Sequence, residues 1–283
     1  MISRKERNKK LNSEINHEKT MNFSKKIIKI VLIILLLFTF LFLYAYFIGV
    51  KGIKTNEYII KDNIPSSFNG IKILHFSDLL YGKTINNDDL SFLINEFKNI
   101  NPDIVIFTGN IVSQDYNLSE NDIKEIKSFM KNIPYKIGKY AVNGNNDTNN
   151  FNLIIDNTDF TVLDNEVIDI YNNSNESINI CGININKEET INNKNDNYTI
   201  TLINNYDKYN KYGITSNLVF AGNNLGGEVK LFNKALFNNN KYMNSFYEEK
   251  NSKIYISNGL GSIHHVRFMN HPSINVYRLN SYN

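Results

Sequence analysis

The sequence predicts an α/β domain that follows a single membrane-spanning helix. Three observations indicate this class: an uncharged apolar run near the N-terminus, a strand–helix–strand pattern that repeats downstream, and short polar loops after the predicted strands. Hydrophobic residues make up 42% of the 283 residues and aromatic residues 12%, which excludes a wholly disordered chain. About 220 residues remain after the apolar run, enough for one domain with a full core.

The apolar run covers residues 30–50 and contains no charged side chain. As a helix it would span a hydrocarbon layer of about 30 Å. No small-residue cleavage pattern follows it, which favours an uncleaved anchor over a signal peptide. Residues 1–29 carry nine Lys and Arg against three Glu, a net charge of +6. The positive-inside rule therefore predicts a single-pass protein of the cell membrane with a disordered, basic cytoplasmic arm and an extracytoplasmic C-terminal domain.

Residues 51–69 are predicted to form a linker and a first strand at 57–61, and residues 70–283 the folded domain. Amphipathic helices are expected around Leu90–Phe97 and Ile123–Phe129. A polar stretch at 184–197 predicts a loop. The further predicted strands cover residues 71–77, 104–107, 139–142, 178–183, 198–203, 218–221, 228–232, 253–256 and 274–279.

The first predicted strands end in polar loops at Asp78, Asn110 and Asn145–Asp147. Loops after neighbouring parallel strands converge on one edge of a sheet, which is where α/β domains place ligand sites. We therefore expect the candidate site at these strand ends.

Composition excludes two kinds of function. Cys181 is the sole cysteine, so neither an internal disulfide nor a thiolate zinc site can form. The chain has a net charge of +3, which leaves −3 for residues 30–283 once the basic arm is set aside. Such a domain offers no cationic surface for phosphate backbones, so we expect no nucleic-acid partner.

Five segments lie at or near the ends of predicted strands. They are His75-Phe-Ser-Asp-Leu-Leu-Tyr-Gly82, Pro102-Asp-Ile-Val-Ile-Phe-Thr-Gly-Asn110, Tyr140-Ala-Val-Asn-Gly-Asn-Asn-Asp147, Thr201-Leu-Ile-Asn204 and Ala221-Gly-Asn-Asn-Leu-Gly-Gly-Glu228. In order and intervals they resemble the motifs of the calcineurin-like metallophosphoesterases, and within that family those of the single-span, YkuE-like bacterial branch.

The resemblance implies a four-layer αββα sandwich with two divalent metals, Mn, Fe or Zn, bridged by a carboxylate and a water. Paired metals of this kind lower the pKa of a bridging water and hydrolyse phosphoesters. The metal ligands of the family are hard oxygen donors and imidazole groups, and a further His assists the leaving group.

This chain departs from the family pattern at most ligand positions. Asp78 and Asn145 are retained as metal-ligand residues, and Asp147 is retained beside Asn146, which replaces the catalytic His. Ser113 stands where an Asp usually follows the second motif. The degenerate ligand positions are Leu80, Asn110, Asn204, Asn223 and Leu225. Leucine has no donor atom and a neutral amide supplies no charge to offset a dication, so we expect no metal cofactor, and no residue is predicted to bind an organic cofactor.

Other residues were considered as replacement ligands. His264 and His265 lie in a late loop, and an adjacent pair of this kind is more often solvated or packed than metal-bound. We expect His75 to be a packed residue. Asp115 and Glu228 are the carboxylates predicted to lie nearest the cleft.

The function predicted is that of a catalytically inactive, membrane-anchored homologue that acts as a binding or regulatory module at the cell envelope. Its expected partners are the bilayer and a phosphate-containing or lipid ligand. The sequence identifies no protein partner. The alternative is a weakly active, metal-dependent phosphoesterase that hydrolyses an envelope or lipid-linked phosphoester.

Overall fold

The computed structural model describes residues 4–147, 150–187, 189–191, 196–232, 234–236 and 240–282. Two compact units divide the chain, Met1–Ala45 and Tyr46–Asn283. Helix α1 runs over Arg4–Leu43 in the first unit, and a π-helical turn, Tyr44–Ile48, continues it across the boundary between the units. The basic arm, expected to be disordered, is therefore helical from Arg4. One helical stretch, Arg7–Ile48, is long and apolar enough to cross a membrane.

The first half of the second unit alternates strands with helices. Helix α2 begins with a capping box in which the Asn86 side chain accepts from the Asp89 amide while the Asp89 carboxylate accepts from the Asn86 amide. Ser119 and Asp122 start α3 in the same way. The elements are β1 (Lys54–Asp62), β2 (Lys72–Phe76), α2 (Asn87–Ile100), β3 (Ile104–Phe107), α3 (Glu120–Asn132), β4 (Gly138–Ala141), α4 (Asn150–Ile155) and β5 (Phe160–Val162).

The second half consists mainly of strands. Short 3-10 helices lie at Ser66–Phe68 in the first half and at Tyr206–Lys211 and Leu225–Gly227 in the second. The strands are β6 (Glu166–Tyr171), β7 (Ser177–Ile183), β8 (Thr199–Ile203), β9 (Leu218–Ala221), β10 (Lys230–Leu231), β11 (Lys234–Ala235), β12 (Phe246–Glu249), β13 (Ser252–Ile256) and β14 (Ser273–Ser281).

The strands form two six-stranded mixed sheets in the described residues. The first has the order β1-β14-β2-β3-β4-β5 and the second the order β12-β13-β9-β8-β7-β6. Strands β2 to β5 are mutually parallel, as are β7, β8, β9 and β13. The last strand, β14, returns to the first sheet, parallel to β1 and antiparallel to β2.

The two sheets pack face to face, because their strands are apolar on both sides. In β2, Ile73 belongs to the core between the sheets, whereas Leu74 and Phe76 belong to the core beneath α2, α3 and α4. In β9, Phe220 faces the same central core and Val219 faces a third core with Tyr206 and Tyr209 of a 3-10 helix. Three cores separate four layers, which confirms the predicted α/β sandwich.

Several sequence-based boundaries need correction. Strand β1 starts at Lys54, earlier than the predicted residue 57. The strand predicted at 228–232 is shorter than expected, because β10 covers Lys230–Leu231 and pairs with the unpredicted β11. Strands β5, β6 and β12 and helix α4 were also missed. The described part of the predicted loop at 184–197 contains neither helix nor strand, and residues 188 and 192–195 lie outside the described residues.

Candidate functional site

The retained and replaced motif residues meet at the carboxyl ends of β2, β3, β4, β8 and β9. The loops there take tight left-handed turns, with positive φ at Asp78, Asn110 and Asn223. They also approach one another closely. A Cβ on Gly222 would lie 1.9 Å from Ser77 Oγ, and one on Gly144 would lie 2.3 Å from Asn110 Oδ1. Glycine at these two positions therefore allows the strand ends to converge.

Asp78 lies at the centre of the cluster and is almost fully buried. Its Oδ1 accepts a hydrogen bond of 2.6 Å from Asn110 Nδ2, and its Oδ2 accepts one of 2.9 Å from the backbone amide of Asn223. Burial raises the pKa of Asp78 to about 6, although these hydrogen bonds and the charge of Arg267 oppose the shift. Asp78 is thus a carboxylate whose two oxygens are both occupied by N–H donors.

The neighbours of Asn110 determine which way its side-chain amide faces. Its Oδ1 accepts from the backbone amide of Asn146 at 3.0 Å, and a backbone amide can only donate. Its Nδ2 consequently faces Asp78, with a longer contact of 3.4 Å to Asn223 Oδ1. The structure therefore places an N–H group toward Asp78 where the family pattern places a carboxylate oxygen.

Asn204 and Asn223 extend the same network. Asn204 Nδ2 donates to the Thr108 carbonyl at 2.6 Å, while its Oδ1 accepts from the Asn145 amide at 3.0 Å. Asn223 Oδ1 accepts from Asn145 Nδ2 at 3.1 Å. We call the four side chains of Asn110, Asn145, Asn204 and Asn223 the amide cluster. Its members bond to one another and to backbone groups that allow a single orientation.

Asn146 and Asp147 stand at the side of the amide cluster. Asn146 Oδ1 accepts from Gln114 Nε2 at 2.7 Å. Asp147 is a loop-closing residue, because its carboxylate accepts from the backbone amides of Asn110, Ile111 and Gly144 at 2.7 to 2.8 Å. Burial raises its pKa, and the three amides oppose that shift. Both of its oxygens are occupied by the backbone.

Leu80 and Leu225 make the opposite side of the cleft apolar. They are 2% and 3% exposed. A Cβ on Gly261 would lie 2.6 Å from Leu80 Cβ, and one on Gly259 would lie 2.5 Å from Leu225 Cδ2. The two leucines therefore pack against the loop that follows β13, which we call the closing loop (residues 257–270).

Arg267 is a buried charged residue to which the sequence analysis assigned no role. Its Nη2 donates to the carbonyls of Asn258 and Gly261 at 2.7 and 2.6 Å. Burial lowers its pKa to about 10, while Glu228 and Asp78 oppose the shift, so the guanidinium stays charged at neutral pH. Arg267 fixes the closing loop and places a positive charge near Asp78. The sequence signal that could have found it is a lone arginine in a glycine-containing loop, Asn258-Gly-Leu-Gly261 and the residues after it.

The residues proposed as replacement metal ligands contact other protein groups. His264 is exposed, and its Nδ1 contacts the Glu228 carboxylate, which also accepts from Ser262 Oγ at 2.5 Å. Burial opposes ionisation of Glu228, but these hydrogen bonds hold its pKa below the usual value. The His265 ring lies 4.5 Å from that of Tyr46. The pair is solvated and packed, as the sequence suggested.

The remaining candidates also have structural roles. His75 is fully buried between the sheets, where its Nε2 lies 3.0 Å from Thr108 Oγ1, and burial lowers its pKa to about 3. Asp115 is exposed at the surface, 3.9 Å from Lys83 Nζ. Ser113 donates its backbone amide to the Tyr81 carbonyl. Across the part of the chain that the structure describes, no three His, Cys, Asp or Glu side chains form a group able to hold a metal.

Comparisons with known proteins agree with this architecture. The family model of calcineurin-like phosphoesterases, Metallophos, matches residues 71–267. The uncharacterized metallophosphoesterase YkuE of Bacillus subtilis is 26% identical over 252 residues, covering 82% of this chain and 87% of that protein. A zebrafish (Danio rerio) transmembrane protein with a metallophosphoesterase domain is 24% identical over 89 residues, covering 30% of this chain and 19% of that protein. The chain belongs to the calcineurin-like phosphoesterase family.

Proposed function

We propose that this protein is a catalytically inactive, membrane-anchored member of its family whose cleft acts as a binding or regulatory module at the cell envelope. The observation that carries the proposal is the 2.6 Å hydrogen bond from Asn110 Nδ2 to Asp78 Oδ1. A dication requires lone pairs directed at it, and this bond directs a proton into the space between the two motif residues.

The donor set does not fit a pair of metal ions. Asp78 supplies a carboxylate, but Leu80 and Leu225 supply no donor atom. The oxygens of Asn110 and Asn204 are held by backbone amides, which would have to lose their partners before a metal could bind. Loss of a partner behind the ligands costs about 10–100-fold in metal affinity, and direct ligands matter more. No hydrolytic step through a metal is therefore assigned to this chain.

A binding role is supported by polar groups at the accessible edge of the amide cluster. Asn145 is exposed, and Lys208 Nζ lies 3.5 Å from its Oδ1. The Asp78 carboxylate disfavours a phosphate in the interior, whereas hydroxyl groups can donate to carboxylate and amide oxygens. We infer that a ligand such as a lipid headgroup places sugar or glycerol hydroxyls toward Asn145 and its phosphate toward Lys208.

The proposed location depends on the N-terminal helix. The +6 charge of residues 1–29 places that end in the cytoplasm by the positive-inside rule, so the domain faces outward. Attachment of a cysteine-reactive, membrane-impermeant reagent to intact cells tests this sidedness. A cysteine at exposed Tyr171 should react, whereas one at Leu11 should not.

Metal analysis and phosphoesterase assays of the full-length protein in detergent test inactivity. We expect no stoichiometric Mn, Fe or Zn and no hydrolysis of an aryl phosphate in the presence of Mn²⁺. The matched control is Asp78→Asn, because it removes the retained carboxylate ligand while leaving any contaminating phosphatase unaffected. Bound metal together with turnover that Asp78→Asn abolishes would establish the alternative, a weakly active metal-dependent phosphoesterase.

A further inference from the structure

Five large apolar side chains are exposed on two neighbouring segments of the second unit. We call them the apolar rim. Phe232 is 84% exposed and the other four are between 41% and 57% exposed. The members are Leu231, Phe232, Leu236, Ile263 and Met269. Isolated exposed leucines are ordinary on protein surfaces, but a group of this size marks an interaction surface.

Backbone hydrogen bonds join the two segments into one surface. The Lys230 amide donates to the Phe268 carbonyl at 2.9 Å, and the Phe268 amide donates to the Glu228 carbonyl at 3.1 Å. The Leu236 amide donates to the Val229 carbonyl at 3.0 Å, which closes the β10–β11 hairpin. The Glu228 carboxylate accepts from the Ile263 amide at 2.6 Å. These hydrogen bonds therefore fix the hairpin beside the closing loop.

The closing loop also contacts Tyr46, the first residue of the second unit. The Tyr46 ring lies 4.5 Å from that of His265, which stands between Ile263 and Met269 in the chain. Phe47 and Ile48 are exposed, as expected for residues at the end of a membrane span. Tyr46 lies two residues before Ile48, the last residue of the helical stretch that is apolar enough to cross a membrane.

The segment after Ile48 is held in place by burial and by hydrogen bonds. Val50 is 2% exposed. Lys51 Nζ donates to the Thr84 carbonyl and to Asp89, both at 2.6 Å, and the Lys54 amide donates to the Pro272 carbonyl at 2.9 Å. The linker predicted for this region is thus packed against the domain. This packed connection and the contact with His265 hold the start of the second unit beside the closing loop.

We propose that the apolar rim inserts into the interfacial layer of the bilayer that anchors the chain. The proposal rests on the membrane anchoring in the proposed function. Apolar side chains of interfacial elements lie about 5–10 Å deep, at the boundary of headgroups and acyl chains. The rim carries Lys234 on its hairpin, which can reach headgroup phosphates from there. The occupant of the rim is lipid, not a protein partner.

This placement has a consequence for the cleft, because the closing loop belongs to both. The Gly261 amide donates to the Asp78 carbonyl at 2.7 Å, two residues before Ile263. The segment that carries part of the apolar rim is therefore one wall of the cleft. A headgroup in the bilayer surface is the ligand that this arrangement brings closest to the amide cluster.

Depth-dependent fluorescence quenching of the full-length chain in lipid nanodiscs tests the proposal. Cysteines at Phe232 and Met269 would be labelled with an environment-sensitive fluorophore. Cys181 is fully buried, so the unsubstituted protein serves as the control for stray labelling. Phosphatidylcholine with a quencher on an acyl carbon near the headgroup is the probe. Tyr171→Cys, at a 57% exposed position on β6, is the matched surface control, and Leu37→Cys reports on the span.

We expect labels at 232 and 269 to shift to the blue and lose most of their emission with quencher lipid, while the label at 171 keeps its emission. If the labels at positions 232 and 269 keep their emission, as the label at 171 does, while the label at 37 is quenched, the span is in the bilayer and the rim proposal is wrong. If 37 is also unquenched, membrane anchoring itself fails and the rim proposal fails with it.

Discussion

The two sides of the cleft differ in what their side chains offer. On the side of Leu80 and Leu225, aliphatic groups are buried against the closing loop. On the side of the amide cluster, polar groups are satisfied internally by hydrogen bonds. The first side contributes packing to the fold, and the second contributes a polar network. Donor atoms are therefore lacking on one side and engaged by protein groups on the other.

The largest effect should come from a charge placed inside the amide cluster. Asn110→Asp would replace the 2.6 Å hydrogen bond to Asp78 with two opposed carboxylates. Because an uncompensated buried charge costs about 3–5 kcal/mol, we expect that loss in the free energy of unfolding at pH 7. The loss should shrink as the pH falls and the carboxylate pair takes up a proton. Urea denaturation at pH 7 and pH 5 measures both effects.

The matched control for that change is Asn145→Asp, which adds the same charge at an exposed position of the same cluster. It should cost less than about 1 kcal/mol, because solvent screens an exposed charge. Equal losses for the two variants would show that the cluster is open to water and would remove the distinction between the two sides.

On the apolar side, Leu225→Ala should destabilise the fold by about 3 kcal/mol, since it leaves a cavity beside Gly259. Leu153→Ala, at a 54% exposed position, is the control and should change the free energy of unfolding little. Chemical denaturation of both variants supplies the comparison. A near-neutral Leu225→Ala would mean that this side is not a packed part of the fold.

Asp78, which touches both sides, makes stability depend on pH. Its pKa in the folded state, about 6, lies above the ordinary value of 3.8, so the folded state binds the proton more tightly. The contribution of Asp78 to the free energy of unfolding is therefore greatest below pH 3.8 and is lost as the pH rises through 6. As the pH falls from 8 to 5, we expect the free energy of unfolding of the wild type to rise by about 1.4 kcal/mol relative to that of Asp78→Asn.

The difference between the two proteins is the quantity to measure, because His75 titrates in both. Burial lowers its pKa from 6.5 to about 3, so its contribution is present above pH 6.5 and is lost as the pH falls toward 3. That trend cancels in the comparison. Parallel pH profiles of the free energy of unfolding for wild type and Asp78→Asn would contradict the assignment of a buried carboxylate with a raised pKa to the cleft.

The smallest effect on the free energy of unfolding is expected at the accessible edge of the amide cluster. Asn145→Ala removes the 3.1 Å bond to Asn223 and the 3.5 Å contact with Lys208 at an exposed position. A net cost of about 0.5–1 kcal/mol is typical of such hydrogen bonds. Thermal unfolding with and without glycerol phosphate checks a second consequence, since the proposed ligand contacts this edge. A stabilisation that is equal in wild type and variant would place the ligand elsewhere.

Sequence periodicity located the main strands well where both faces are buried. Strand β3 was predicted at 104–107 and is Ile104–Phe107, and β9 was predicted at 218–221 and is Leu218–Ala221. Continuous apolar runs bounded by polar loops carry that information. Strand β12 and the β10–β11 hairpin were missed or misplaced, because their side chains are largely exposed and lack a buried face to impose a pattern.

The sequence by itself determined which atoms the cleft can offer: carboxylates at Asp78 and Asp147, amides at four strand ends, and no donor at Leu80 or Leu225. What only the tertiary structure decided is where those atoms point. An asparagine carries both a donor and an acceptor, so its chemistry depends on neighbours contributed by distant strands. The Asn146 amide turns the oxygen of Asn110 away from Asp78, and the closing loop is fixed by a hydrogen bond from the Gly261 amide to the Asp78 carbonyl. These are contacts between residues far apart in the chain, which no local pattern can specify.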